Sequence, residues 1–148
     1  MAATAPESLI FGDLFGTPAM RTVFGDAALA GRWAEAEAAL ATAEAECGLI
    51  PSAAARAIAA AARRFTPDLR ALGEKTVLVG YPIVELVRQL GEGLPAEARG
   101  FVHWGATTQD IMDTAVILQL RDALALVEAD IEAIRAELAR LARAHRDT

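Results

Sequence analysis

The stretch Phe101-Val102-His103-Trp104-Gly105-Ala106-Thr107-Thr108-Gln109-Asp110 stands apart from an otherwise alanine-rich chain. It gathers an imidazole, an indole, two hydroxyls, an amide and a carboxylate just ahead of a long helical pattern. Thr107 followed three residues later by Asp110 is a capping-box pattern, with Asp in place of the usual Glu, and it puts a helix start at Thr107. The first turn of a helix leaves backbone N–H groups unpaired, and the macrodipole adds partial positive charge there. An organic carboxylate is therefore stabilised at this point. The hydroxyls of Thr107 and Thr108 complete a carboxylate cradle, while Gly105 and Ala106 allow a ligand to approach the backbone closely. His103, a few residues earlier, is placed to orient a substrate or to move a proton. Two plainer roles stand beside these: a simple helix cap for Thr107 and Asp110, and a packed histidine for His103.

The elements that position this block follow from periodicity and breakers. Residues 1–25 hold Gly12, Gly16, Pro18 and Gly25 among large apolar side chains and read as an irregular arm with a short helical turn near Pro18. Asp26 is a candidate cap, and Gly48 with Pro51 a candidate stop. Between them Leu29, Trp33, Ala36, Leu40, Ala43 and Cys47 recur at spacings of 4 and 3, one face of an amphipathic helix. A second helix is expected from Ser52 to about Arg64. A third is expected after Thr66-Pro67-Asp68, ending before Gly80, and a short fourth from Tyr81-Pro82 to Gly91. The loop from Gly91 to Gly100 has room for one helical turn.

From about Thr108 to Arg146 there is neither proline nor glycine. Ile117, Leu120, Leu124, Val127, Ile131, Ile134, Leu138 and Leu141 alternate spacings of 3 and 4 without a slip, the pattern of long helices packed in a bundle. At a rise of about 1.5 Å per residue such a helix is about 58 Å long. The short helices before it cannot cover a stripe of that length, so other long helices, from further chain or other subunits, are required. The pattern stops at Asp147-Thr148 without a capping glycine, and a truncated bundle that self-associates is the expectation. The fold class is therefore all-α: an N-terminal helical domain over 1–106, then the first long helix of a bundle over 107–148.

Composition narrows the function. Of the 148 residues 54% are hydrophobic and only 5% aromatic. That balance favours close-packed helices over a sheet sandwich. A net charge of −6 argues against a generic nucleic-acid partner, which would show a basic face. It leaves room for an anionic small substrate held by a few local donors. One cysteine, Cys47, rules out an internal disulfide and a multi-cysteine metal cage. Residues 1–9 lack the basic start and apolar core of a signal peptide. No charge-free apolar run is long enough to cross a bilayer, so no membrane span is expected and a cytoplasmic location is the default.

The run from His103 to Ala115, His-Trp-Gly-Ala-Thr-Thr-Gln-Asp-Ile-Met-Asp-Thr-Ala, resembles the first signature block of the fumarase/aspartase superfamily. It looks most like the branch of the bacterial 3-carboxy-cis,cis-muconate cycloisomerases and the adenylosuccinate lyases. Leu14-Phe15-Gly16-Thr17-Pro18-Ala19-Met20 and Leu118-Gln119-Leu120-Arg121-Asp122-Ala123-Leu124 carry the resemblance further, so it covers nearly the whole chain. It implies a helical homotetramer with a bundle of long helices, and active sites where three subunits meet. It implies addition or elimination across a double bond next to a carboxylate, a small polycarboxylate substrate, and no metal or organic cofactor. In the cycloisomerase branch, one carboxylate of 3-carboxymuconate closes onto the alkene to give a lactone, a step of aromatic-acid catabolism in the β-ketoadipate pathway. By this resemblance Thr107 and Thr108 hold a substrate carboxylate, with Thr108 standing where serine is common. His103 matches a histidine that adenylosuccinate lyases place in their site, Gln109 is a substrate contact, and Asp110 and Gly105 shape and cap the loop.

Departures from the family pattern favour the cycloisomerase branch. Gly80-Tyr81-Pro82 lacks the histidine of adenylosuccinate lyases, and Thr17 replaces their arginine. The Gly-Ser-Ser loop that supplies the catalytic serine is not among these residues, so the chain alone is expected to be inactive. A reading of another class, a non-catalytic helical oligomerisation module, needs only the stripe. Cys47 and Trp33 are expected to be packing residues, and His145 a packing or near-surface one.

Overall fold

The computed structural model describes Thr4 and residues 8–147. Among them there is no β-strand. The order is a 3-10 turn at Gly12–Leu14, then α1 (Pro18–Val23), α2 (Asp26–Glu46), α3 (Ser52–Ala62), α4 (Leu69–Val79), α5 (Ile83–Glu92), α6 (Ala96–Arg99) and α7 (Thr108–Ala144). The all-α class holds. The signal-sequence reading concerns positions that lie mostly outside the described residues, as does Thr148. Among the described residues no helix is long and apolar enough to cross a membrane.

Residues 24–119 form one compact unit. Its helices begin and end where local chemistry dictates. Asp68 caps α4 by accepting a hydrogen bond from the N–H of Ala71 at 3.0 Å, and Gly80 closes it in the left-handed conformation at φ 93. Gly48, at φ 73, ends α2. The N–H of Leu49 donates back to the carbonyl of Glu44 at 2.8 Å. Several boundaries differ from the pattern reading, α3 stopping at Ala62 and α5 starting at Ile83 among them. Gly25 is the cap of α2 and makes no side-chain bond, while Asp26 lies in the first turn, where its charge suits the dipole. Gly91 sits inside α5, which stops at Gly93. The long helix ends at Ala144 rather than Arg146, and His145 is exposed in the turn beyond.

Two apolar clusters hold this unit. One joins Ala41 of α2 to Ala54, Ala55 and Ile58 of α3, Leu90 of α5, and Leu94, Ala98 and Val102. The other joins Ala30, Trp33 and Ala36 of α2 to Leu72 of α4, Ile83 and Leu86 of α5, and Ile111 and Ala115 of α7. Ile83 and Leu86 are fully buried. Burial of such a side chain contributes about 2 kcal/mol. The second cluster anchors the first turns of α7 and so fixes where Thr107 and Thr108 lie. Because α2 packs on both clusters, its buried face is wider than the apolar stripe and includes Ala30, Ala34, Glu37, Ala41 and Glu44. Trp33 is core as expected. Ala43 and Cys47 are not: both are exposed, because the buried surface has rotated toward the alanines that face α3.

A partly buried ion pair of this unit lies on α5. Arg88 holds the buried Glu85 at 2.6 Å and also pairs with Glu92. The guanidinium draws the Glu85 carboxyl down to about 2.

The second unit comprises residues 120–147 and the described residues before Phe24. In the arm, Arg21 donates to the carbonyls of Gly12 and Gly16 and pairs with Asp13 at 2.7 Å. Along α7, Glu132–Arg135 and Glu137–Arg140 are exposed pairs one turn apart. Solvent screens exposed helix-surface pairs of this spacing, so they contribute little to stability. Leu120, Leu124, Val127, Ile131, Ile134, Leu138 and Leu141 are all exposed in the single chain.

Candidate functional site

The chain passes from α6 to α7 through residues 100–107. His103 stands at φ 60, and among the described residues it alone is a non-glycine in the left-handed region. That conformation costs about 1 kcal/mol and persists only where its surroundings hold it. Gly105 follows at φ 67, where a glycine carries no such cost.

What holds His103 comes from α2. Its Nδ1 lies 2.6 Å from Oε1 of Glu37, whose side chain is 0% exposed. Glu44, two turns later on the same helix, is also buried, at 7%. Oε2 of each carboxyl is buried without a hydrogen-bond partner. Burial pushes the Glu37 carboxyl up, the contact with His103 draws it back, and the nearby Glu44 adds to the rise. Burial likewise pushes Glu44 up, against the pull of His103. Gly105 lies against this pair: a Cβ placed there would stand 3.8 Å from Oε1 of Glu44.

The start of α7 carries its own cap. The N–H of Thr107 donates to the Asp110 carboxylate at 2.9 Å, and the N–H of Asp110 donates to the Thr107 carbonyl at 3.1 Å. α7 begins at Thr108, with Thr107 exposed and Thr108 half-buried. The N–H groups of Thr108 and Gln109 belong to the turn whose donors the helix leaves open. Asp110 already places one negative charge beside them, so an incoming carboxylate depends on the two hydroxyls for added hold. Gln109 is exposed, and its amide donates to Asp113 one turn on.

A cleft of about 430 Å³ opens beside the block. That volume is within the usual range for small-ligand pockets. Glu44, Trp104, Gly105, Ala106, Asp110 and Thr114 contribute to its walls. His103, Thr107, Thr108 and Gln109 are not among its lining residues. The structure thus brings His103 to Glu37, and Gly105 and Asp110 to the cleft, while Thr107, Thr108 and Gln109 lie at the helix start outside its walls. A wider groove of about 750 Å³ along α2 and α3 is walled by alanines together with Thr42, Glu35, Glu46 and Arg63, and holds no histidine. Among the described residues no three His, Cys, Asp or Glu side chains converge as a metal site requires.

Glu37 and Glu44 are not legible as site residues from sequence. Their one signal is phase: Glu37 lies four residues after Trp33, and Glu44 four after Leu40, close to the apolar stripe.

A family model described as a lyase matches residues 15–148. This chain belongs to that lyase family. The family is the one the His103–Ala115 block resembles, the fumarase/aspartase superfamily, and the helical architecture agrees with it. The lyase-family chain is 43% identical over 143 residues to a 3-carboxy-cis,cis-muconate cycloisomerase from Pseudomonas putida, covering 94% of this chain and 34% of that protein. It is 41% identical over 135 residues to trans-aconitate decarboxylase 1 from Mycosarcoma maydis, covering 91% of this chain and 27% of that protein. A crystal structure of a fumarate lyase from Mesorhizobium sp. BNC1 superposes with a TM-score of 0.82 at 52% identity, over 86% of this chain and 30% of that one. The chain therefore spans about a third of the length of the relatives it matches.

Proposed function

We propose that this lyase-family chain is the N-terminal portion of a 3-carboxy-cis,cis-muconate cycloisomerase, acting in the cytoplasm on a small polycarboxylate of aromatic-acid catabolism. In this reading residues 1–106 are the N-terminal domain and 107–148 the first long helix of the bundle. Thr107 and Thr108 hold a substrate carboxylate, Gln109 contacts the substrate, and His103 orients it or moves a proton. Gly105 and Asp110 shape the loop. A second carboxylate of the substrate then closes onto the alkene: a C–O bond forms, the double bond is consumed, and a proton goes to the neighbouring carbon, with no atom lost.

One observation supports the reading above others: a pair of hydroxyls, one exposed and one half-buried, stands at the amino end of a 37-residue helix. The three relatives named above are described by unsaturated polycarboxylates, which fits a carboxylate-gripping segment shared among different reactions. The exposed stripe on α7 supports assembly with other copies, a tetramer in the whole protein, with other segments of the site supplied by other subunits. Another lyase of the superfamily, such as an adenylosuccinate lyase, is the nearest competitor, and a purely oligomerising module the one of another class.

The test is an ultraviolet assay of the whole protein for loss of 3-carboxy-cis,cis-muconate. Thr107→Val is expected to lower kcat/KM roughly 100-fold, the scale for losing one well-placed donor. Unchanged turnover in that variant ends the cradle role. Absence of any lactonisation, with elimination from another polycarboxylate instead, moves the chain to a different branch of the family.

A further inference from the structure

The buried carboxyls of α2 have no part in the reading above, yet one of them touches its histidine. We infer that Glu37 is the positioning residue of His103: its carboxylate holds the imidazole in the Nδ1–H form and leaves Nε2 as the ring's free acceptor. The inference rests on His103 being a ligand-facing group, and it deepens that assignment by naming the working atom.

Four features argue for it. A carboxyl with a fully buried side chain is costly unless something specific holds it there, and among the described residues the only hydrogen-bond partner of Glu37 is His103. The contact is short, 2.6 Å, and its carboxyl side is fully buried, where a charge-assisted bond is less screened than at the surface. The ring is one-fifth exposed and makes no second hydrogen bond among the described residues, so Nε2 is the nitrogen left for a ligand. His103 stands at φ 60, a strained conformation that persists only where its surroundings hold it, and the bond to Glu37 is such a hold.

The tautomer of a histidine is set by the bond its other nitrogen makes. With Nδ1–H donating to Glu37, Nε2 carries the lone pair. In the proposed lactonisation the proton bound for the carbon beside the new C–O bond is carried on Nε2 of the imidazolium and leaves from there as the C–O bond forms, while Nδ1–H stays on Glu37. The buried carboxylate offsets the positive charge of the ring before the transfer, and the ring returns to the neutral Nδ1–H form after it. Glu44 adds a second negative field beside the ring without a hydrogen bond to it. It is a bystander to the tautomer.

The experiment is tautomer assignment by long-range 1H–15N correlation on 15N-histidine-labelled protein, without substrate, above the ordinary imidazole range of about 6.5. The chain has only two histidines, and His145→Gln assigns the signals. In the wild type, Nδ1 is expected at the protonated-nitrogen position and Nε2 at the bare one. Glu37→Gln, whose amide both donates and accepts, is expected to shrink that separation toward an average. Glu44→Gln is expected to leave it unchanged. An Nε2–H ring in the wild type overturns the inference outright, even where Glu37→Gln fails to fold. So does a folded Glu37→Gln with the wild-type pattern, or a collapse seen in Glu44→Gln alone. Because no substrate is present, these outcomes are independent of whether Thr107 grips a carboxylate.

Discussion

His103 Nδ1 lies 2.6 Å from Glu37 Oε1, a pairing across 66 residues of chain. It ties the loop that carries the candidate site to the middle of α2, and with it comes a second buried acid, Glu44. The site is therefore built on a helix whose chemistry is directed inward, and stability and site geometry share the same residues.

Glu44 makes the stability of this unit pH-dependent in a defined sense. Its carboxyl is pushed above the ordinary value of 4.5 by burial, so the folded state holds the proton more tightly than the unfolded chain. That contribution is fully present below pH 4.5 and is lost as the pH rises through the folded value. Glu44→Gln stands in for the protonated acid at every pH and so removes the pH dependence. At neutral pH the variant is expected to gain on the order of 1 kcal/mol over wild type, the scale of relieving one unsatisfied buried group. The difference vanishes below pH 4.5. Denaturant melts at both pH values check this; parallel pH profiles refute it.

Gly105 and Gly100 bracket the loop and answer differently to the same change. Gly105→Ala forces a Cβ onto a residue at φ 67. The expected cost is about 1 kcal/mol, lowering the melting midpoint by a few degrees. Gly100 has φ −70 and open space where a Cβ would go. Alanine there is expected to change stability by less than about 0.5 kcal/mol. Equal melting temperatures for the two variants contradict the backbone assignment.

The α7 stripe predicts association. The wild-type chain is expected to sediment as an oligomer. Leu124→Asp and Ile131→Asp, each on an exposed position of the stripe, are expected to shift it to monomer while leaving far-ultraviolet helix signal in residues 24–119. A wild-type monomer with α7 intact removes the stripe as an interface.

Most of this fold is legible because helices are specified locally. Asp68 and Gly80 mark α4, the glycine-free run marks α7, and the Thr107–Asp110 pattern appears as a hydrogen bond in the expected place. The site is legible only in part. The block from His103 to Asp110 can be read, since its residue types are concentrated in one stretch, but its partners on α2 cannot.

The sequence by itself determined the helical class, the positions of the main breaks, the phase of the α7 stripe and the hydroxyl-bearing start of that helix. Each depends on neighbours within a turn or two. The tertiary structure alone decided that Cys47 is exposed, that Glu37 and Glu44 are buried, and that His103 faces one of them. A helical period gives the angle between side chains, not the number of neighbours that pack around the helix. With α2 covered on two sides, alanines and glutamates outside the apolar stripe become core, and two acids of ordinary solvated type become the setting of the histidine.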